Sequence, residues 1–374
     1  MATTTTTQSL PSNMLAAQIV GFHKPHSINK IPVPDINNLN PHDLYLKVAV
    51  SGLCHSDLEY LKGTFPHISL PITGSHEGTG VILAKGSAVD YFNVGDRILA
   101  GQTFGRCGEC DICKGPENYR HYCPHRETMM SVHRNGAFQE YLIVDGREAA
   151  LIPDSMSFAT AAPLACAGMT SWRGVKQCEL KPGQWIAIVG SGGGLGHLAI
   201  QMAKKAFGLK VVGVDARDEG LALTEEAGAD LVLDARIGKE NFVEQVHKHT
   251  DGKGVHAALN VSDAKSAAPT AAAITRDHGT VVQVALIDEV SLPFHDVIFR
   301  NIHLKGSFMA SQAEIQEMLY AVVKHKIKLE NNIFHGIPEI PRAVEMLRNG
   351  EYRGKACIVV DEGAPGTLPG DSRM

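Results

Sequence analysis

A continuous apolar run, Trp185-Ile186-Ala187-Ile188-Val189, leads without a break into Gly190-Ser191-Gly192-Gly193-Gly194-Leu195-Gly196. The apolar run suits a strand buried on both faces, as in the centre of a parallel sheet. The glycines then allow a tight turn and a close approach of backbone to a ligand. A helix is expected next, because Leu195, Leu198, Ala199, Met202, Ala203, Ala206 and Phe207 recur at helical spacing and give one apolar face to lay on that sheet. Gly208 closes it, and Lys210-Val211-Val212-Gly213-Val214-Asp215 reads as a second strand ending in a carboxylate. Strand signals at 231–233, 255–261, 280–285 and 302–308 alternate with helices near 241–248 and 264–275. The fold class this predicts for the second half is α/β, a doubly wound parallel sheet.

A glycine-rich loop alone is weak evidence, since glycines also make ordinary turns. Here it joins a buried strand to an amphipathic helix, and Asp215 stands nineteen residues beyond Gly196. In that arrangement backbone amides and a helix N-terminus hold a pyrophosphate while the acid bonds the adenosine ribose. Gly190, Gly192, Gly193, Gly194, Leu195, Gly196 and Asp215 are therefore candidate cofactor-binding residues. A 2′-phosphate facing Asp215 would meet like charge, which favours NAD(H) over NADP(H), with Arg217 close enough to leave the choice open. The loop is one residue off the simplest dinucleotide fingerprint, which leaves the separate roles of Gly190 and Gly192 open.

With 374 residues the chain is too long for one ordinary core, and two domains are expected. The first part reads as a compact β domain: strands at 14–20 and 43–50 flank a stretch punctuated by Pro25, Pro32, Pro34 and Pro41, where no helix is expected, and short strands follow at 80–83, 97–100 and 138–144. Residues 1–13 are a polar tract without the basic start and apolar centre of a signal peptide, and read as a disordered tail. A formal charge of −5 and a pI near 6.4 give no reason to expect nucleic acid or an anionic membrane as partner, and no segment is apolar enough to span a bilayer. A cytoplasmic protein is the expectation.

The eight cysteines do not resemble a disulfide framework. Cys107-x2-Cys110-x2-Cys113-x9-Cys123 packs four thiols into seventeen residues among glycines, which suits a lobe folded round one structural zinc with no open position. A second site gathers from separate segments. Cys54 offers a thiolate, Ser56 a hydroxyl for a substrate oxygen, and Asp57 a carboxylate able to orient another ligand from outside the first shell. His76-Glu77 and Cys166 complete the set, since two cysteines and one histidine leave a fourth position open on a catalytic zinc. Cys178 and Cys357 remain as core residues.

Together these stretches resemble the zinc-dependent alcohol dehydrogenases of the medium-chain dehydrogenase/reductase superfamily, most closely the yeast and fungal type. The resemblance runs from Met14 to Asp361 and rests on Cys54-His55-Ser56-Asp57, His76-Glu77, the four-cysteine lobe, Cys166-Ala167-Gly168-Met169-Thr170 and the glycine loop, in that order. It implies a GroES-like β catalytic domain at 14–163 and 307–374 carrying the zinc lobe at about 105–125, and a Rossmann NAD-binding domain at 164–306, with the active site in the cleft between them. It implies two zinc ions per chain, with Cys54, His76 and Cys166 on the catalytic one and Asp57 behind His76. Glu77 would stand beside the metal and help its ligands exchange. By the same resemblance His55 would meet the cofactor phosphates, Thr170 the nicotinamide side and Asp215 the ribose, and the substrate would be a small alcohol, aldehyde or ketone. Ser56 would pass the proton outward, and the assembly would be a homodimer or homotetramer.

Departures from the family pattern are as informative. Glu59 occupies the place where many relatives carry a histidine that ends the proton relay, and it reads equally as a proton acceptor or as a solvated surface residue. Ser75 stands where a glycine usually precedes the His-Glu pair, and the gap before Cys123 is nine residues where seven is common. Lys355 falls in a region where relatives place an arginine on the cofactor phosphates. Phe65 is expected to wall the substrate pocket. Two other readings stand beside the main one: an enzyme reducing a specialised secondary-metabolite aldehyde, with NADPH as a possible donor, and an inactive NAD-binding sensor or scaffold.

Overall fold

The computed structural model describes residues 10–370 apart from Pro66. Residues 1–9 of the tail expected at 1–13 lie outside the described residues, whereas Asn13 already pairs with Pro32 in a strand. Two compact units emerge. The first comprises the chain up to Cys166 with Ser311–Tyr320 and everything from Asn331 onward; the second comprises Ala167–Ala310 with Ala321–Glu330.

In the first unit β1 (Asn13–Ile19) pairs antiparallel with β2 (Ser27–Pro32), a strand that the prolines concealed from the sequence reading. Pro32 closes the pairing at its end, where a missing amide costs least. β3 (Asp43–Leu53) is the long strand of the unit. Helix α1 (His55–Lys62) follows Cys54 directly, and β4 (Ile72–Thr73), β5 (Gly78–Lys85) and β6 (Arg97–Leu99) come next. β7 (Thr103–Phe104) and β8 (Thr128–Met129) pair as a ribbon at the base of the cysteine lobe, which carries the single turn α2 (Asp111–Lys114). β9 (Tyr141–Asp145), β10 (Ala150–Leu151) and the turn α3 (Phe158–Ala161) complete this part. β3 pairs with both β5 and β9, and its register shifts twice along β5, so the strand bends and the sheet wraps round Leu44, Leu46, Val48, Ile82, Phe92 and Ile98.

The second unit opens with α4 (Ala167–Gln177), followed by β11 (Trp185–Val189), α5 (Gly196–Gln201), β12 (Lys210–Asp215), α6 (Asp218–Glu226), β13 (Leu231–Asp234), α7 (Lys239–His249), β14 (Val255–Asn260), α8 (Ala267–Ile274), β15 (Thr275–Gln283), α9 (Phe294–Ile298) and β16 (His303–Gly306). All six strands are parallel, in the order β13-β12-β11-β14-β15-β16. Consecutive residues of β11 go to opposite faces: Ile186 and Ile188 enter one core, Ala187 and Val189 the other, so the sheet is covered on both sides as its unbroken apolar sequence requires. The chain order reverses between β11 and β14, and ligands of such sheets bind beyond the carboxyl ends of the strands at that point. The expected long helix after the glycine loop differs in one respect. After Gln201 it widens into a π turn, Met202–Ala206, where the Phe207 amide donates to the Met202 carbonyl.

α10 (Gln312–Lys324) begins in the first unit, and β17 (Asn331–His335), α11 (Ile340–Arg348) and β18 (Lys355–Val359) return the chain to it. β18 lies between β3, to which it is antiparallel, and β17. Gly306 ends the last strand of the parallel sheet, just before the return expected at 307, and beyond it Ser311–Tyr320 and the chain from Asn331 join the first unit while Ala321–Glu330 join the second.

Candidate metal centres and cofactor loop

Cys54 is the residue at which β3 gives way to α1, and His76 and Glu77 lie in the turn between β4 and β5. Cys166 ends the short 3-10 turn Ala162–Ala165. One donor atom from each of Cys54, His76, Glu77 and Cys166 lies within 4.8 Å of every other. The two sulfurs are 3.8 Å apart, and Ser56 Oγ lies 3.8 Å from the Cys54 sulfur. A tetrahedral ion with metal–sulfur bonds of about 2.3 Å separates its sulfurs by about 3.8 Å, so the spacing suits zinc. The contact with Cys166 holds the Cys54 thiol well below its ordinary range against the opposing effect of burial, and pushes the Cys166 thiol up. A cation held between the two sulfurs would favour the thiolate form of both. Burial opposes a charge on His76, but the Cys54 thiolate and the carboxylates of Asp57 and Glu77 outweigh it and raise the imidazole to about 9.

Glu77 shows most clearly that these residues fit a cation. One oxygen accepts from the Lys355 ammonium at 2.7 Å; the other, Oε2, is buried and has no partner. Gly52 makes room for this carboxylate, since a Cβ there would stand 2.0 Å from Oε2. Burial drives the Glu77 carboxyl up and Lys355 pulls it back down. The ammonium stays charged, because the neighbouring carboxylate and thiols overcome its own burial.

Two sequence expectations change here. Lys355 does not face outward toward a phosphate: it is buried, and its ammonium donates to Glu77 and to the Leu53 carbonyl at 2.9 Å. Asp57 does not bond His76; its oxygens accept the amides of Cys54 at 2.9 Å and Ser75 at 3.0 Å, fixing the backbone on either side of the site. The group that meets His76 Nδ1 is the Tyr60 hydroxyl, at 3.2 Å, which leaves Nε2 for an ion. Tyr60 escaped the sequence reading, although it lies one helical turn beyond Asp57 on the same buried face. Phe65 packs edge-on against Tyr60, so it reaches the site through that ring. Ser75 adopts a left-handed backbone, φ +65°, stabilised by its own hydroxyl, which donates to the Gly52 carbonyl at 2.8 Å and accepts from the Glu77 amide at 3.1 Å.

Glu59 sits on the outer part of α1, where its carboxylate accepts from Lys62 at 2.7 Å and from Thr64 at 3.0 Å. The Lys62 bond holds it below the usual carboxylate range. His55 is exposed, with Nε2 3.9 Å from Glu59.

Cys107, Cys110, Cys113 and Cys123 also converge, with sulfur separations of 3.7 to 3.9 Å among them. Amides of Glu109 and Cys110 donate to Cys107 and bring its thiol down to about 6, whereas burial raises Cys113 to about 12. Four sulfurs at tetrahedral spacing suit a closed structural zinc.

In the second unit Gly190 turns the chain with φ +88°. A Cβ at Gly192 would meet the backbone of Gly220 at 2.1 Å. The Gly192 amide donates to Asp215 Oδ2 at 3.0 Å, and Asp215 Oδ1 accepts from the amides of Ala216 and Arg217. Arg217 also folds its guanidinium onto this carboxylate, with Nε 3.3 Å from Oδ1. Among the described residues the amides of Gly194 and Leu195 donate to nothing, which suits a phosphate at the start of α5. Gly193 and Gly196 close the loop between them, and Thr170 is buried in the first turn of α4.

Residues 40–154 match the model of the alcohol dehydrogenase GroES-like domain, and residues 194–324 that of the zinc-binding dehydrogenase. An alcohol dehydrogenase 1 of Emericella nidulans is 32% identical over 359 residues, covering 95% of this chain and the whole of that protein. This chain belongs to the zinc-type alcohol dehydrogenases of the medium-chain dehydrogenase/reductase superfamily. An alcohol dehydrogenase of Geobacillus stearothermophilus is 33% identical over 93% of the chain and 100% of its own length. The crystal structure of the alcohol dehydrogenase of Aeropyrum pernix superposes with a TM-score of 0.82 at 29% identity, covering 92% of this chain and 99% of that one. The expected combination of a GroES-like β domain and a Rossmann sheet is therefore borne out. No helix among the described residues of this alcohol dehydrogenase is long and apolar enough to cross a membrane.

Proposed function

We propose that this zinc-dependent alcohol oxidoreductase moves hydride between NAD(H) and a small alcohol or its aldehyde or ketone, using one catalytic and one structural zinc per chain. The observation that carries the reading is the convergence of Cys54, His76 and Cys166 with the unpartnered Oε2 of Glu77. Bound zinc supplies Lewis-acid polarisation of the substrate oxygen, and the nicotinamide supplies or accepts the hydride. Cys54, His76 and Cys166 would hold the ion, and Glu77, with its unpartnered Oε2, would lie within reach as a replaceable donor. Ser56 takes the substrate hydroxyl proton and passes it outward. Glu59, committed to Lys62 and Thr64 and held anionic, closes α1 and does not carry that proton. In the second unit the open amides of Gly194 and Leu195 take the pyrophosphate, Asp215 faces the adenosine ribose, and Thr170 meets the nicotinamide side, while His55 of the first unit keeps the phosphate-contacting role that the family resemblance implies.

NAD(H) is preferred because Asp215 repels a 2′-phosphate, while Arg217 beside it is the feature that supports NADPH use. Phe294, Ile298 and Phe299 are about 70% exposed close to the edge strand β16, which supports assembly of copies through the second unit. The deciding experiment is metal analysis with a cofactor absorbance assay across a panel of alcohols. About two zinc ions per chain and alcohol-dependent NADH formation, lost in Cys54→Ala, are expected. Zinc-free protein, or activity that survives that substitution, overturns the reading.

A further inference from the structure

Three side chains on one face of α5 and its π turn grip a strap of backbone within the second unit. Lys205 donates to the Lys326 carbonyl at 3.4 Å. Gln201 donates through Nε2 to the Lys328 carbonyl at 2.7 Å and accepts through Oε1 from the Lys328 amide at 2.9 Å. The Glu330 amide donates to Nε2 of His197 at 3.3 Å. Four residues of helix rise about 6 Å. Two residues of extended chain cover about 6.6 Å. Steps 197, 201 and 205 therefore keep register with 330, 328 and 326, and the helix presents the strap with a ladder of side chains in place of a neighbouring strand.

The last rung reaches the glycine loop. Because Nε2 of His197 accepts, the ring proton sits on Nδ1, which donates to the Gly193 carbonyl at 2.9 Å. That carbonyl also takes the amide of His197 at 3.2 Å. With Gly193 held from two sides, the peptides of Gly194 and Leu195 that follow it are fixed in direction. His197 and Gln201 are both buried, at 1% and 5% exposure, so water does not compete for these bonds.

We infer that His197 is a positioning residue for the cofactor: the strap, laddered onto α5 through Lys205 and Gln201, orients the glycine loop through the Gly193 carbonyl. This rests on the reading that the loop holds the pyrophosphate of NAD(H). His197 touches no reacting atom, so its effect belongs in cofactor affinity and not in the chemical step.

The test compares the zinc-loaded enzyme with His197→Phe, His197→Asn and Gln201→Met, measuring the NADH dissociation constant by fluorescence titration, KM for NAD, kcat, zinc content and thermal midpoint. His197→Phe keeps a ring but no polar atoms, and about tenfold weaker NADH binding is expected, with KM for NAD rising alike and kcat at saturating NAD changing by less than about twofold. His197→Asn keeps a donor for Gly193 and recovers about half of that loss on a logarithmic scale. Gln201→Met never meets the loop, yet breaks the middle rung and weakens NADH about threefold. A merely structural role would lower the thermal midpoint of all three without this split of KM from kcat. Wild-type NADH affinity in folded, zinc-loaded His197→Phe overturns the inference, and if that variant does not fold, unchanged affinity in both other variants does so. Leu195→Pro deletes one open amide and separates the two levels: weaker NADH binding there, with none in the ladder variants, leaves the loop reading standing and removes the inference. A wild-type enzyme that binds no NADH removes both.

Discussion

Tyr60 and His26 show how single buried polar atoms govern this molecule. With a metal on Nε2, the proton of His76 rests on Nδ1 and donates to the Tyr60 oxygen, fixing the ring that must reach the ion. Tyr60→Phe preserves the packing against Phe65 and removes only that acceptor. Its catalytic zinc should pass to a chelator about ten times faster than in the wild type, with the structural zinc unaffected. Equal release rates would assign the ring's orientation to Asp57 instead. His26 is the opposite case, a buried imidazole with neither nitrogen partnered, packed edge-on against Phe138. Burial lowers it from 6.5 to about 4. The folded chain therefore binds fewer protons than the unfolded one between those values, so this contribution is constant above pH 6.5 and is lost as pH falls toward 4. About 3 kcal/mol is at stake over that window. Urea unfolding of His26→Leu should show a flatter acid limb than the wild type, and equal slopes would remove His26 as the cause.

Among the elements, the cysteine lobe does more than enclose an ion. Glu117, in the 3-10 turn between Cys113 and Cys123, accepts from the Ser311 hydroxyl at 2.6 Å and the Ala313 amide at 3.2 Å, at the start of α10. Ser311 and Glu314 already form a reciprocal cap there, with the Ser311 amide bonded to Glu314 Oε2 at 3.2 Å and the Glu314 amide to Ser311 Oγ at 3.3 Å. Glu117 adds a second carboxylate at the positive end of the helix. Glu117→Ala should cost about 1 kcal/mol in urea unfolding and speed hydrogen exchange in the first turn of α10, whereas Cys113→Ala should produce that exchange together with loss of one zinc. Unchanged exchange in α10 when the lobe loses its metal would mean that the helix start is independent of it. Such couplings also mark what the sequence could reveal. The lobe, the Cys54 segment and the strand-loop-helix around Gly190 are local patterns whose chemistry lies in adjacent residues, so spacing alone exposed them. The Glu117 cap, the strap on α5 and the Tyr60 hydroxyl join residues that only the tertiary fold brings together. β2 and the π turn were hidden for a different reason, since prolines obscured one and an unbroken helical period the other.

For the whole molecule, the decisive long-range bond is the one between Glu77 and Lys355, residues 278 positions apart. It joins two segments separated in sequence by the whole second unit, and with β18 lying between β3 and β17 it places a buried cation from the last strand beside the metal ligands. Its two halves should respond differently to substitution. Lys355→Met leaves Glu77 able to escape its isolation by taking a proton, because burial already drives that carboxyl up. The folded variant then binds more protons than its unfolded chain, so its loss of stability should be small near pH 6 and grow as pH rises through the raised folded value. Glu77→Gln keeps an acceptor but removes the carboxylate that does most to hold Lys355 charged, and should cost about 3 kcal/mol at pH 6 in metal-free protein and less at pH 9, where the buried ammonium can escape by losing its proton. Glu77→Gln with Lys355→Met removes both charges and should recover about 2 kcal/mol of the summed single losses. Urea unfolding of the four proteins at pH 6 and pH 9 measures this cycle. Strictly additive losses without pH dependence would show that the two side chains do not stabilise the returning strand through each other.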